Sequence, residues 1–151
     1  MTDLDALEDW VGPLLQRIEP AGRVKLSRTL AQQLRRSQQQ RVAAQCNPDG
    51  TPFAPRKTSK LREKQGRVKR KAKMFQKMRT ARYLKARGDS AMATVGFTGR
   101  IARIARVHQE GLRDRVAPRG AYGDYEQREL LGFTKADSKL LFAKLLEYLA
   151  K

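Results

Sequence analysis

Cysteine and histidine each occur once in this chain of 151 residues, at Cys46 and His108. A lone cysteine rules out an intrachain disulfide framework, and a lone histidine rules out a multi-histidine metal site. Acidic residues are scarce, with 15 Asp plus Glu against 33 Lys plus Arg, and aromatic residues make up only 7%. No apolar run approaches the roughly 18 to 20 residues that cross a bilayer. The N-terminus, Met1-Thr2-Asp3-Leu4-Asp5, is acidic where a secretory signal carries positive charge. There is no glycine-rich phosphate cradle ending in Lys-Ser or Lys-Thr, and no paired-cysteine metal spacing. These absences lead to the expectation of a soluble intracellular protein without cofactor or membrane span.

What is present is positive charge. The formal net charge is +18. A chain this basic repels its own copies at low salt and seeks polyanions or acidic protein faces. With 40% hydrophobic and 32% charged residues, it has enough apolar material for one modest core, in a single domain spanning residues 1–151.

Periodicity sets out the elements. Leu4, Leu7, Val11, Leu14 and Ile18 recur at helical steps, and Asp5 and Glu8 suit a positive helix start. Pro13 removes one backbone hydrogen bond and is expected to kink or split this helix. Pro20 fits the first turn of a second helix running to about Gln45, with Leu26, Leu30 and Leu34 as its stripe. Residues 1–45 are thus expected to form a helical hairpin. The stripe fades into Arg35-Arg36-Ser37-Gln38-Gln39-Gln40-Arg41, a polar end that suggests projection from the core or contact with another subunit. Asn47 to Pro55 holds three prolines and a Pro-Asp-Gly turn, so a loop is expected, with Phe53 as its anchor.

Further on, Met92 to Phe97 alternates as a strand, and Ile101, Ala105 and His108 favour a short helix ending near Gly111. Arg113 to Tyr125 reads as a loop with at most a short edge strand. Thr134 with Asp137 resembles a capping box, followed by a final helix burying Leu141, Leu145, Tyr148 and Leu149. The class is α+β: an N-terminal helical hairpin, a basic extended arm, a small antiparallel sheet and a C-terminal helix.

The charge is concentrated. Residues 56–87 hold fifteen Lys or Arg and one acid, Glu63, and from Lys57 to Lys73 apolar residues are too sparse to pack, which predicts an arm. Met74, Phe75, Met78, Tyr83 and Leu84 then restore a helical or extended packing pattern. Three readings of the basic segment stand side by side. It lies along phosphate backbones with salt-sensitive affinity, Phe75 and Tyr83 adding stacking; it docks on an acidic neighbouring protein and orders there; or it is a solvated face. The candidate partner-binding residues are Lys69, Arg70, Lys71, Lys73, Lys77, Arg79 and Arg82.

Enzymatic constellations are weak. His108 with Cys46 or a serine would make a nucleophilic pair only at a spacing no known pattern supports, so a packed or interface histidine is expected. Glu110, Asp114, Asp124 and Glu126 cluster near loops, yet two-metal nuclease chemistry needs carboxylates that converge. Solvated surface is the default for them.

Taken in order, several segments resemble one family. LEDWVGPLL from Leu7, LAQQLRRSQQQR from Leu30, and the Asn47-Pro48-Asp49-Gly50 turn leading to Phe53 and Pro55-Arg56-Lys57 come first. MFQKMRTARYLKA from Met74, IARIARVHQEGLRDRV from Ile101 and RELLGF from Arg128 follow. This order resembles the virion morphogenesis, or tail completion, proteins of temperate contractile-tailed phages, the gpS-like group related to phage Mu gpG. The resemblance implies a non-enzymatic virion protein, made in the host cytoplasm, that completes the head-proximal end of a tail and enables head–tail joining. It implies no catalytic residues, cofactor or metal, and a homo-oligomeric ring with a hexamer favoured. Its implied partners are terminal tail tube or sheath subunits and neck or connector proteins, with contact to phage DNA open. In such a ring the basic arm either lines a lumen for DNA or grips acidic subunits. The grip is favoured, because a tightly binding lumen would impede DNA ejection. A basic nucleic-acid-binding module is the alternative from another class.

Overall fold

The computed structural model describes residues 3–16, 18–57 and 72–150. The chain runs α1 (Asp3–Leu15), α2 (Pro20–Ala43), β1 (Leu84–Gly88), β2 (Ala93–Phe97), α3 (Arg100–Glu110), β3 (Arg113–Arg115), β4 (Tyr122–Asp124) and α4 (Lys135–Leu149). Among the described residues two antiparallel ribbons, β1–β2 and β3–β4, accompany four helices. The fold is α+β.

Local chemistry explains the boundaries. Pro20 sits in the first turn of α2, where a missing N–H costs nothing. Gly111 ends α3 in a left-handed conformation with its N–H returned to the Val107 carbonyl. Thr134 and Asp137 form a reciprocal capping box on α4. Pro13 does not split α1, which stays one element and ends two residues later. Asp89 accepts from the Ala91 and Met92 N–H groups and turns β1 into β2. The register pairs Leu84 with Phe97 and Gly88 with Ala93.

The apolar interior comes in two small pieces. One joins three helices: Val11 of α1, Leu26 of α2 and Leu145 of α4, with Leu7, Leu30 and Tyr148 against them. The first two helices therefore meet on the C-terminal helix. The other holds Val42, Phe53, Met78, Ala105 and Leu130, flanked by Met74, Phe75, Phe97 and Ile101. Phe53 is buried and anchors its loop as expected.

Helix α2 spans both pieces, and its polar end is where the sequence reading is corrected. That end does not project from the core; it ties together later parts of the chain. Ser37 donates to the Asp137 carboxylate. Gln38, 2% exposed, donates to the Gly132 carbonyl and accepts from the Gly132 N–H. Gln39 donates to the Arg79 carbonyl. Arg41 gives one terminal nitrogen to the Cys46 and Glu129 carbonyls at 2.9 and 2.7 Å. Its other nitrogen serves Gln38 Oε1 and the Leu130 carbonyl at 2.6 and 2.8 Å. Just past the helix, Gln45 makes a two-way bond with the Met74 backbone. Buried polar groups are tolerable when satisfied in this way; of the Arg41 guanidinium only Nε has no partner among the described residues.

Two glycines mark close approaches. A Cβ on Gly88 would stand 2.4 Å from the Arg28 backbone nitrogen, so only glycine lets the end of β1 lie against α2. At Gly132 a Cβ would stand 2.4 Å from the ring of Pro48, which places the Pro-Asp-Gly turn directly on the segment leading to α4.

Candidate interaction surface

The expected basic arm falls largely on residues 58–71, outside the described residues, but the residues on either side of it, Arg56-Lys57 and Lys73-Met74, are pinned. Arg128, only 4% exposed, donates to the Ala54 and Pro55 carbonyls at 2.7 and 2.9 Å. Lys57 donates to the Asp124 carbonyl. On the return side Gln45 holds Met74, and Arg56 Nη2 reaches the Lys73 carbonyl at 3.5 Å. The two ends of the excursion are therefore neighbours.

Of the sequence-predicted residues, Lys69, Arg70 and Lys71 lie outside the described residues. Lys73 and Lys77 are exposed. Arg82 is exposed and its guanidinium stands 5.3 Å from the centre of the Tyr83 ring. Arg79 is half-buried, with Nε on Gln76 and its carbonyl taken by Gln39. Arg79 is thus partly structural, whereas Lys73, Lys77 and Arg82 present charge to solvent. The expectation that Phe75 offers a stacking platform is corrected. Its ring is half-buried between Phe53 and His108, with centroids 5.7 and 4.8 Å away.

A second basic surface escaped the sequence reading. Arg113 to Tyr125 is no plain loop but contains the β3–β4 ribbon, registered Arg113 with Asp124 and Arg115 with Tyr122. Side chains two apart share a face, so Arg113, Arg115 and Tyr122 all point outward and are exposed. Both guanidiniums stand over the Tyr122 ring, at 5.9 and 5.2 Å. Arg119 is exposed at the tip of the ribbon, while Val116 lies on the opposite face with Asp114, its side chain beside Gly123. On the other side of β3, Asp114 pairs with Arg103 of α3, which fixes the ribbon against the helix. The available signal was the alternation Arg113-Asp114-Arg115, too short to stand out among so many arginines.

Where the structure places the enzymatic candidates, it gives them ordinary work. Glu110 pairs with Arg106 one turn earlier, and Asp114 with Arg103. Among the described residues no group of three His, Cys, Asp or Glu is placed to hold a metal ion. No described helix is long and apolar enough to cross a membrane. An open groove lined by Phe97, Ala102, Ala105, Arg106, Gln109 and Leu131 carries one ionisable side chain, Arg106.

His108 is packed, as expected. Its ring meets Phe75 and Tyr125 edge-on at 4.8 and 5.1 Å, and Nδ1 lies 3.3 Å from the Arg128 guanidinium. Burial, then the Arg128 charge, lowers its pKa to about 4. Arg128 can only donate, so the neutral ring accepts at Nδ1 and carries its proton on Nε2. The sign follows from linkage. The unfolded chain, with histidine near 6.5, binds more protons than the fold between pH 6.5 and 4. Stability present above pH 6.5 is therefore lost as pH falls towards 4. Asp49, Asp89 and Asp114 are also lowered, from 3.8, by hydrogen bonds to their carboxylates, so their loss falls at lower pH. We expect the urea midpoint to fall from pH 7 to pH 5 and His108→Phe to flatten that slope; an unchanged slope would assign it to other groups.

The chain is 43% identical over 152 residues to tail completion protein S of Escherichia phage P2, covering 100% of both chains. No solved structure matches it. Residues 2–150 match the phage virion morphogenesis family, and the chain belongs to that family.

Proposed function

We propose that this protein is a non-enzymatic structural component that completes the head-proximal end of a phage tail and so enables head–tail joining. The observation that carries the reading is the 43% identity to a tail completion protein across the whole of both chains. The structure supports it physically. The interior is two small apolar clusters, while most of the ionisable side chains face outward, as suits a part that works wedged among other subunits. In this reading the protein is a single domain that acts as a ring, with six copies to match a contractile tail. It sits in the tail or neck of the virion after assembly in the host cytoplasm. Terminal tail tube or sheath subunits and neck or connector proteins are its neighbours. The cationic excursion, with Lys69, Arg70, Lys71, Lys73, Lys77 and Arg82, grips acidic subunits beside it. DNA passing through the ring is the weaker claimant for that charge.

The test is a phage deleted for this gene. Electron micrographs of the lysate should show filled heads and separate tails, and purified protein should bind those tails even after nuclease treatment. Intact particles in the deletion lysate would refute the assignment. Binding that disappears with nuclease would favour the nucleic-acid module instead.

A further inference from the structure

The charge on this chain is uneven in a way the net value hides. Helix α1 carries Asp3, Asp5, Glu8 and Asp9 and no Lys or Arg; among the described helices it alone has net negative charge. Glu8 and Asp9 are exposed and have no ion-pair partner among the described residues. Beside them Trp10 is 50% exposed, and its ring lies 5.9 Å from that of Phe142 on α4, itself 40% exposed. Leu146, one turn on and also 40% exposed, extends the same face. On the α1 side the rim is acidic, with Glu8 and Asp9, while on the α4 side exposed Lys135 and Lys139 share the helix face of Phe142 and Leu146. The patch is apolar at the centre, with acids along one edge and lysines along the other.

The β3–β4 ribbon is its complement. Tyr122, 56% exposed, is flanked by Arg113 and Arg115, with exposed Asp124 across from Arg113, and neither arginine has an ion-pair partner among the described residues. Apolar centres flanked by charges of opposite sign are what a specific interface needs.

We propose that the α1–α4 face is a docking surface for a second copy of this chain, which enters it with its β3–β4 ribbon. Trp10, Phe142 and Leu146 cover Tyr122, while Glu8 and Asp9 meet Arg113 and Arg115 and the α4 lysines face Asp124. Because the two surfaces belong to different elements, the contact is head-to-tail. A joined pair keeps one free α1–α4 face and one free ribbon, and the contact repeats into a ring where the rotation closes. This deepens the ring reading above by naming the surfaces. It is tested on the purified chain rather than on tails, so either can fail without the other.

The experiment is sedimentation velocity at about 0.15 M salt, where long-range repulsion is largely screened, on the full chain and two charge-reversed variants. The parent should associate with rising concentration. Glu8→Lys with Asp9→Lys, and Arg113→Glu with Arg115→Glu, should each associate roughly a hundredfold more weakly. Mixed in equal amounts, the two variants should recover the parent's behaviour, because each then offers the face the other lacks. Trp10 is the only tryptophan, so its emission should shift to the blue as complexes form. A parent that stays monomeric at every concentration overturns the proposal. So does association with unmoved Trp10 emission, or a mixture no better than its parts. If the ribbon variant loses DNA binding while self-association is unchanged, the ribbon reads nucleic acid and the proposal is wrong.

Discussion

Replacing Lys69, Arg70, Lys71 and Lys73 by Glu should leave a folded chain that no longer joins tails to heads. Each exchange moves the charge by two, so the formal net charge falls from +18 to +10 while neither apolar cluster loses a member. Lys73 is exposed and its hydrogen bond runs through its backbone carbonyl, which the exchange keeps. The melting curve should therefore stay close to that of the parent. Assembly should not. Turning attraction into repulsion across a protein contact costs several kcal/mol, and each 1.4 kcal/mol is tenfold in occupancy, so joining should drop roughly a hundredfold or more. Plaque titres with the variant supplied in trans measure this, and normal yields of infectious particles would refute it. Exchange of the same four residues by Gln should fall between, since it removes attraction without adding repulsion.

Arg41→Met tests the interior. The substitution keeps much of the volume but deletes the donors that serve the Cys46, Glu129 and Leu130 carbonyls and Gln38 Oε1. Arg41 is 9% exposed, so water cannot readily replace them. Burial lowers its pKa, opposed by Asp137 and Glu129, yet a guanidinium keeps its proton. Removing one side of such a buried charged network costs about 3–5 kcal/mol. For a domain of this size that is roughly a 10 °C fall in melting temperature. Arg41→Lys should recover only part of it, because one ammonium cannot reproduce a planar fork over four acceptors. Gln40→Ala, an exposed neighbour in the same polar run, should stay within about 0.5 kcal/mol of the parent. Equal effects at positions 40 and 41 would mean the network contributes nothing.

What could be read in advance was what neighbours in sequence decide. Pro20, Gly111 and the Thr134–Asp137 box mark helix ends because capping involves residues three or four apart. Alternation in Ala93–Phe97 shows a strand for the same reason. The polar end of α2 misled because its partners are remote: Gln38 meets Gly132 across 94 residues and Ser37 meets Asp137 across 100. Nothing local separates a glutamine that clamps a distant carbonyl from one that faces water. Strand β1 reads Leu-Lys-Ala-Arg-Gly, a weak strand sequence. It is a strand because β2 pairs with it and α2 covers the fully buried Leu84. The candidate surface was half legible. Charge density located Lys73, Lys77 and Arg82, but only pairing of β3 with β4 revealed that Arg113, Arg115 and Tyr122 converge.

Arg56 Nη2 reaching the Lys73 carbonyl sets the two ends of the stretch between them side by side. Holding two points of a chain together costs an entropy that grows only with the logarithm of their separation in sequence, about 0.6 kcal/mol for each doubling. The contact between those ends is therefore insensitive to moderate changes in the number of residues that join them.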